Sequence, residues 1–154
     1  MNFPSGLKFF IKMFSVCVFL FCCLVSTPNV LIAQTHPDSA ADWINKGALY
    51  ASYGNDMAAI KAFEKALEID PKAYDAQFMM GVSFGAMGEY DKALVHINKA
   101  LAASPGNGRY LYGRAWVYLL SGKSEMAAAD MKAAAENGSP DAAEYLKHHP
   151  EMAH

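Results

Sequence analysis

The chain repeats itself at an interval of 34 residues, and this constrains its fold more than any other feature. AAIKAFEKALEIDP, residues 58–71, returns as KALVHINKALAASP at 92–105 and as MAAADMKAAAENGSP at 126–140. Aligned at this offset, Gly47 falls on Gly81 and Ala115, Tyr50 on Phe84 and Tyr118, and Gly54 on Gly88 and Gly122. Ala59 falls on Ala93 and Ala127, Phe63 on Ile97 and Met131, and Ala66 on Ala100 and Ala134. Pro71 falls on Pro105, and the third copy carries Pro140 one place late.

Each column has a physical reason. Trp43, Gly47 and Tyr50 are spaced four and three apart and share a helical face, as do Ala59, Phe63 and Ala66 on the next segment. A glycine lies between the two segments of every copy, where a helix must end and reverse. Proline after the second segment stops that helix. Every copy therefore reads as helix, tight turn, helix. Small residues at Gly47 and Ala59 allow two backbones to approach, and Trp43, Tyr50 and Phe63 fill the remaining space.

At these residues the chain resembles the tetratricopeptide repeat (TPR) family, whose signature is W-x2-L-G-x2-Y…A-x3-F…P at period 34. The first copy supplies Trp43, Gly47, Tyr50, Ala59, Phe63 and Pro71, with Lys46 where the family prefers Leu. The second has Gln77 in place of Trp, and the third has Leu111 there and Ala115 for Gly. The resemblance implies an all-α fold: three helix-turn-helix repeats (40–73, 74–107, 108–139) stacked as a right-handed solenoid. Residues 140–149 are read as a capping helix, with Ala143 and Leu146 covering the last hairpin, and residues 150–154 as a tail. One hairpin cannot bury its apolar face alone, so stacking builds the core and a polar cap ends it.

The first third of the chain differs. Lys8 and Lys12 precede an apolar run, MFSVCVFLFCCLV at 13–25, which Ser26, Thr27, Pro28 and Asn29 break. This is the layout of a secretory signal peptide, and the run is short of the ~20 residues of a spanning helix. Cleavage is expected after Ala33, leaving a linker at 34–39 and an exported protein, periplasmic or secreted. The alternative is an uncleaved membrane anchor. All three cysteines lie in the apolar run, so cleavage would leave a mature chain with none, suited to an oxidising compartment.

Chemistry has little foothold here. A formal net charge of −2 with no basic run argues against nucleic acid as a partner. No His pair has the i, i+4 spacing of a metal helix, and no Ser stands in a nucleophile elbow. Lys61, Glu64, Lys65 and Glu68 read as a solvated stripe. The expectation is a non-catalytic protein without a metal or cofactor.

The remaining feature is a surface. In the family, positions 2, 5, 6, 9, 12 and 13 of each copy face a concave groove. Counted from Ala40, Tyr74 and Gly108, these positions include Ile44 in the first copy; Asp75, Phe78, Met79, Val82, Gly85 and Ala86 in the second; and Arg109, Tyr112, Gly113, Trp116, Leu119 and Leu120 in the third. Such a lining suits an amphipathic helix or an extended apolar peptide. The same side chains have a second reading, as packing within the stack. Family members that clamp carboxylate termini use several Lys, Asn and Arg, and only Arg109 fits that pattern. The expected partner is another protein or peptide, bound at Ile44, Asp75, Phe78, Met79, Val82, Arg109, Tyr112 and Trp116, in an adaptor or assembly role at a cell envelope. The alternative role is a membrane-anchored scaffold that associates with itself as a homo-oligomer.

Overall fold

A computed structural model describes residues 39–152. The expected leader, its cleavage site and most of the linker lie outside the described residues. Among the described residues seven α-helices follow one another: α1 (Ala40–Ser52), α2 (Asp56–Ile69), α3 (Tyr74–Ala86), α4 (Tyr90–Ala103), α5 (Gly108–Leu120), α6 (Ser124–Glu136) and α7 (Pro140–His148), then a 3-10 turn at Pro150–Met152. They form three antiparallel pairs, α1/α2, α3/α4 and α5/α6, with α7 closing the last. No helix among the described residues is long and apolar enough to cross a membrane.

Local sequence starts and ends these helices. Ser39 caps α1: its Oγ accepts from Asp42 N at 3.2 Å and its hydroxyl donates to Asp42 Oδ2 at 2.6 Å. Asn55, Asn107 and Ser139 cap α2, α5 and α7 in the same way, each satisfying a backbone donor that the helix start leaves open. Within each pair the reversal is a glycine in left-handed backbone, at φ +72° for Gly54, +81° for Gly88 and +76° for Gly122. At the first turn, Asn55 N donates to Tyr50 O and Gly54 N to Ala51 O, both at 2.9 Å. This is the double bond pattern that closes a helix C-terminus around glycine.

The third boundary is built differently from the first two, with Pro140 opening the capping helix as expected. Pro71 and Pro105 lie just beyond the ends of α2 and α4, but Pro140 does not end α6. It is the first residue of α7, where its missing N–H costs nothing. A fourth left-handed glycine, Gly138 at φ +81°, ends α6 instead.

Packing explains the repeated columns. A Cβ at Gly47 would stand 2.4 Å from Cε1 of Phe63, and one at Gly81 would stand 2.6 Å from Cγ1 of Ile97. Glycine in the first helix makes room for the large residue in the second. Phe63, Ile97 and Met131, 34 apart, are fully buried, as are Ala59, Ala93 and Ala127. One buried cluster joins Phe63 and Ile60 to Met80 of the next pair. The other runs from Phe78 and Ile97 through Leu111 and Met131 to Ala142 of α7. In the cap, Ala142 is the buried small residue, not Ala143, which is exposed. The apolar face of α7 passes through Ala142, Tyr145 and Leu146.

The column that holds Lys46 shows what position in the stack does to one site. Its second member, Met80, is buried between pairs. Its third, Arg114, donates from Nε to Asp130 Oδ2 at 2.6 Å, from Nη2 to Asp130 Oδ1 at 2.8 Å and from Nη1 to Asn98 Oδ1 at 2.8 Å. This two-pronged bond to Asp130 raises the guanidinium pKa above its ordinary value, against the cost of burial. Lys46 itself lies on the outermost helix of the described residues and stretches over the rings of Trp43 (4.8 Å) and Tyr50 (6.0 Å). Its stem covers apolar surface while its ammonium reaches water.

Candidate functional site

Successive first helices α3 and α5 place their matching faces side by side, and the first turn of α7 continues the row. Between them lies a groove of about 420 Å³, within the range of small ligand and peptide-anchor sites. Six of the eight expected residues line it: Phe78, Met79 and Val82 from α3, and Arg109, Tyr112 and Trp116 from α5. Gly85, Ala86, Gly113 and Leu120, also expected from position counting, line it too, and Val117 and Asp141 add to the walls; Leu119, expected with them, packs against the buried cluster instead. Ile44 is not in this groove. It is half-buried against the cluster around Phe63. Asp75 stands beside the groove without lining it, bound to Arg109.

The lining residues divide into floor and mouth. Phe78 is only 5% exposed. Its ring fills the space that a side chain at Gly113 would occupy, 2.5 Å from the ideal Cβ position. It also stacks on Tyr110 at 4.8 Å. Phe78 is thus the floor, and its energy belongs to folding. At the mouth, Trp116 is 38% exposed, Val82 41% and Leu120 54%. Trp116 is held upright by edge contacts with Tyr112 (6.2 Å) and Tyr145 (5.5 Å). An indole propped on two sides and open on a third can meet a partner with little loss of freedom.

Charge gathers at the end where α3 and α5 begin. Arg109 donates from Nη1 to Asp75 Oδ1 at 3.3 Å and lies over the Phe78 ring at 4.9 Å, with Nη2 at 3.2 Å from Met79 Sδ. Tyr110 Oη donates to the same Asp75 oxygen at 2.9 Å. Burial, then the hydrogen bond to Asp75, pushes the Tyr110 phenol up to about 12, so it stays a donor at any physiological pH. Arg109 is therefore a clip between repeats as much as a rim charge.

The signal that would have placed Asp141 was the cap helix itself. Counted from Pro140 as the first residue of a further copy, Asp141 occupies the position of Asp75 and Arg109. The third interval is 32 residues rather than 34, which hides the match. No group of three or more His, Cys, Asp or Glu among the described residues is placed to hold a metal ion. His148 pairs with Glu144 at 2.8 Å, and His149 stacks on Tyr145 at 4.3 Å.

Paired helices with glycine reversals, a small-large column inside each pair and a groove between first helices are the architecture that the repeat signature implies. The sequence profiles of that family, described as tetratricopeptide repeat, match residues 40–73 and 78–142. The chain belongs to the tetratricopeptide repeat family. It is 36% identical over 95 residues to human tetratricopeptide repeat protein 6, a match that takes in 60% of this chain and 18% of that protein. The chain spans about a fifth or less of the length of the curated relatives it matches. A crystal structure of MamA superimposes with a TM-score of 0.58 at 27% identity, covering 64% of this chain and 58% of that one. The first TPR domain of human RPAP3 superimposes at 0.67 over 75% of this chain and 93% of its own, at 19% identity, which speaks to the fold alone.

Proposed function

We propose that this protein holds an apolar segment of another protein in the groove between α3, α5 and α7, and that it does so as an exported adaptor or assembly factor at a cell envelope. One observation carries the binding role. Trp116, Val82 and Leu120 remain open to solvent around a single apolar groove, although the fold has buried a comparable side chain, Leu111, elsewhere on α5. Contiguous apolar surface of this kind in a folded chain marks an interaction site. The leader-like segment, Lys8 and Lys12 followed by the apolar run at 13–25, motivates export. Membership of a repeat family made of scaffolding hairpins, with no catalytic constellation in the groove, supports a role without chemistry.

Cross-linking in the native host tests the binding role. A photoreactive group at position 82 or 120 should trap one partner in a discrete adduct, and the same group at exposed Glu68 should not. Equal trapping from both places would assign binding to another surface. Measuring the mass of the protein from the envelope fraction tests export. A chain beginning at Gln34 is expected, and one retaining residues 1–33 would favour the anchored scaffold.

A further inference from the structure

The groove's charges point to the chemistry of its occupant. Building on the binding role proposed above, we infer that the preferred partner segment carries a Lys or Arg beside its apolar anchors, and that acidic segments and free carboxylate termini are disfavoured.

Arg109 is the one cation on the groove lining among the described residues, and it is already engaged. Its guanidinium shares Asp75 with Tyr110 and lies on the Phe78 ring. A partner carboxylate would have to compete with Asp75 for it, and would meet that carboxylate's charge at close range. Asp141, across the groove on the first turn of α7, is exposed and makes no hydrogen bond or ion pair among the described residues. One turn further on, exposed Glu144 is shared between Lys147 at 3.5 Å and His148 at 2.8 Å. With Arg109 balanced by Asp75, the groove keeps the negative charge of Asp141. A cation docking there meets an unpaired carboxylate beside an apolar wall. An anion meets repulsion. Such complementarity acts on partner choice and on association rate.

The test uses the full chain and two synthetic peptides. Both carry the same amphipathic helix, with Leu and Phe at i, i+3, i+4 and i+7. One has Lys at the positions flanking the apolar face, the other Glu. In a Trp43→Phe background the indole emission reports Trp116 alone. The Lys peptide should bind more tightly by about fivefold at low salt, the upper end for one exposed ion pair. The difference should shrink at high salt and in Asp141→Asn. Equal affinities, or tighter binding of the Glu peptide, would overturn the charge preference while leaving the groove's binding role in place. A preference undiminished in Asp141→Asn would overturn the part given to that residue. Binding of neither peptide, with Trp116 emission unmoved, would overturn the groove as a helix-docking site and this inference with it.

Discussion

The ring of Phe78 occupies the place of a side chain that Gly113 does not have: an ideal Cβ at Gly113 would stand 2.5 Å from Cε2 and 2.8 Å from Cζ of that ring. This contact seats the third repeat on the second and sets the depth of the groove. Gly113→Ala must displace an aromatic ring that stacks on Tyr110 and touches the Arg109 guanidinium. The expected cost is about 1–3 kcal/mol, read as a lower denaturation midpoint. Gly106→Ala is the control, because its nearest non-local neighbour is the Asn137 side chain at 3.1 Å, at the surface. Equal midpoints for the two variants would contradict the packing described.

Arg114 and Asp130 join α5 to α6 by a two-pronged ion pair whose side chains are 23% and 12% exposed. Removing one partner leaves the other in a poorly solvated place. Arg114→Met should cost about 2–3 kcal/mol, below the range for fully buried pairs because Arg114 keeps some water. Adding Asp130→Leu should recover part of that loss. A double mutant as unstable as the sum of the two singles would show that the pair has no coupling.

His96 lies half-buried between α3 and α4, with Nδ1 2.8 Å from Gln77 Oε1 and its ring stacked on Phe84 at 5.3 Å. Burial, helped by the charge of Lys99, holds its pKa below the ordinary 6.5. The unfolded chain therefore takes up this proton first. Stability is expected to fall as pH drops below about 6.5, and His96→Gln should flatten that slope between pH 7 and pH 5. Parallel stability curves for the variant and the natural protein would contradict this account.

The cap makes a paired prediction. Ala142 is 0% exposed while its neighbour Ala143 faces water. Ala142→Leu should overpack the contact with the third pair, at about 1–3 kcal/mol. Ala143→Leu should change stability by less than about 0.5 kcal/mol. The reverse order would return the cap to the face expected from sequence.

How much of this was legible can be argued from single positions. The 34-residue columns place Phe63, Ile97 and Met131 in the core because a small residue, Gly47, Gly81 or Ala115, recurs in the matching place of the partner helix. The glycine reversals were legible because only one backbone conformation closes so short a turn. Periodicity could put Phe78 and Trp116 on matching faces, but it could not separate floor from mouth. That distinction depends on Gly113, which gives Phe78 a socket, and on Tyr112 and Tyr145, which prop Trp116 outward. Ile44, expected beside them, packs against the cluster around Phe63 and Met80 instead. Asp141 was hidden by a third interval two residues short.

The central claim is that the mouth of the groove binds a partner and does not hold up the fold. Trp116→Ala tests it most directly, measured for stability by denaturation and for affinity against the partner trapped at position 82. The indole's two edge contacts, at about 0.5–1.5 kcal/mol each, should cost about 1–3 kcal/mol of stability, leaving a cooperative melt. Affinity should drop by about 2 kcal/mol or more, roughly thirtyfold. An unfolded variant would make Trp116 part of the core, and a folded variant with undiminished affinity would place the binding surface elsewhere; either result contradicts the account.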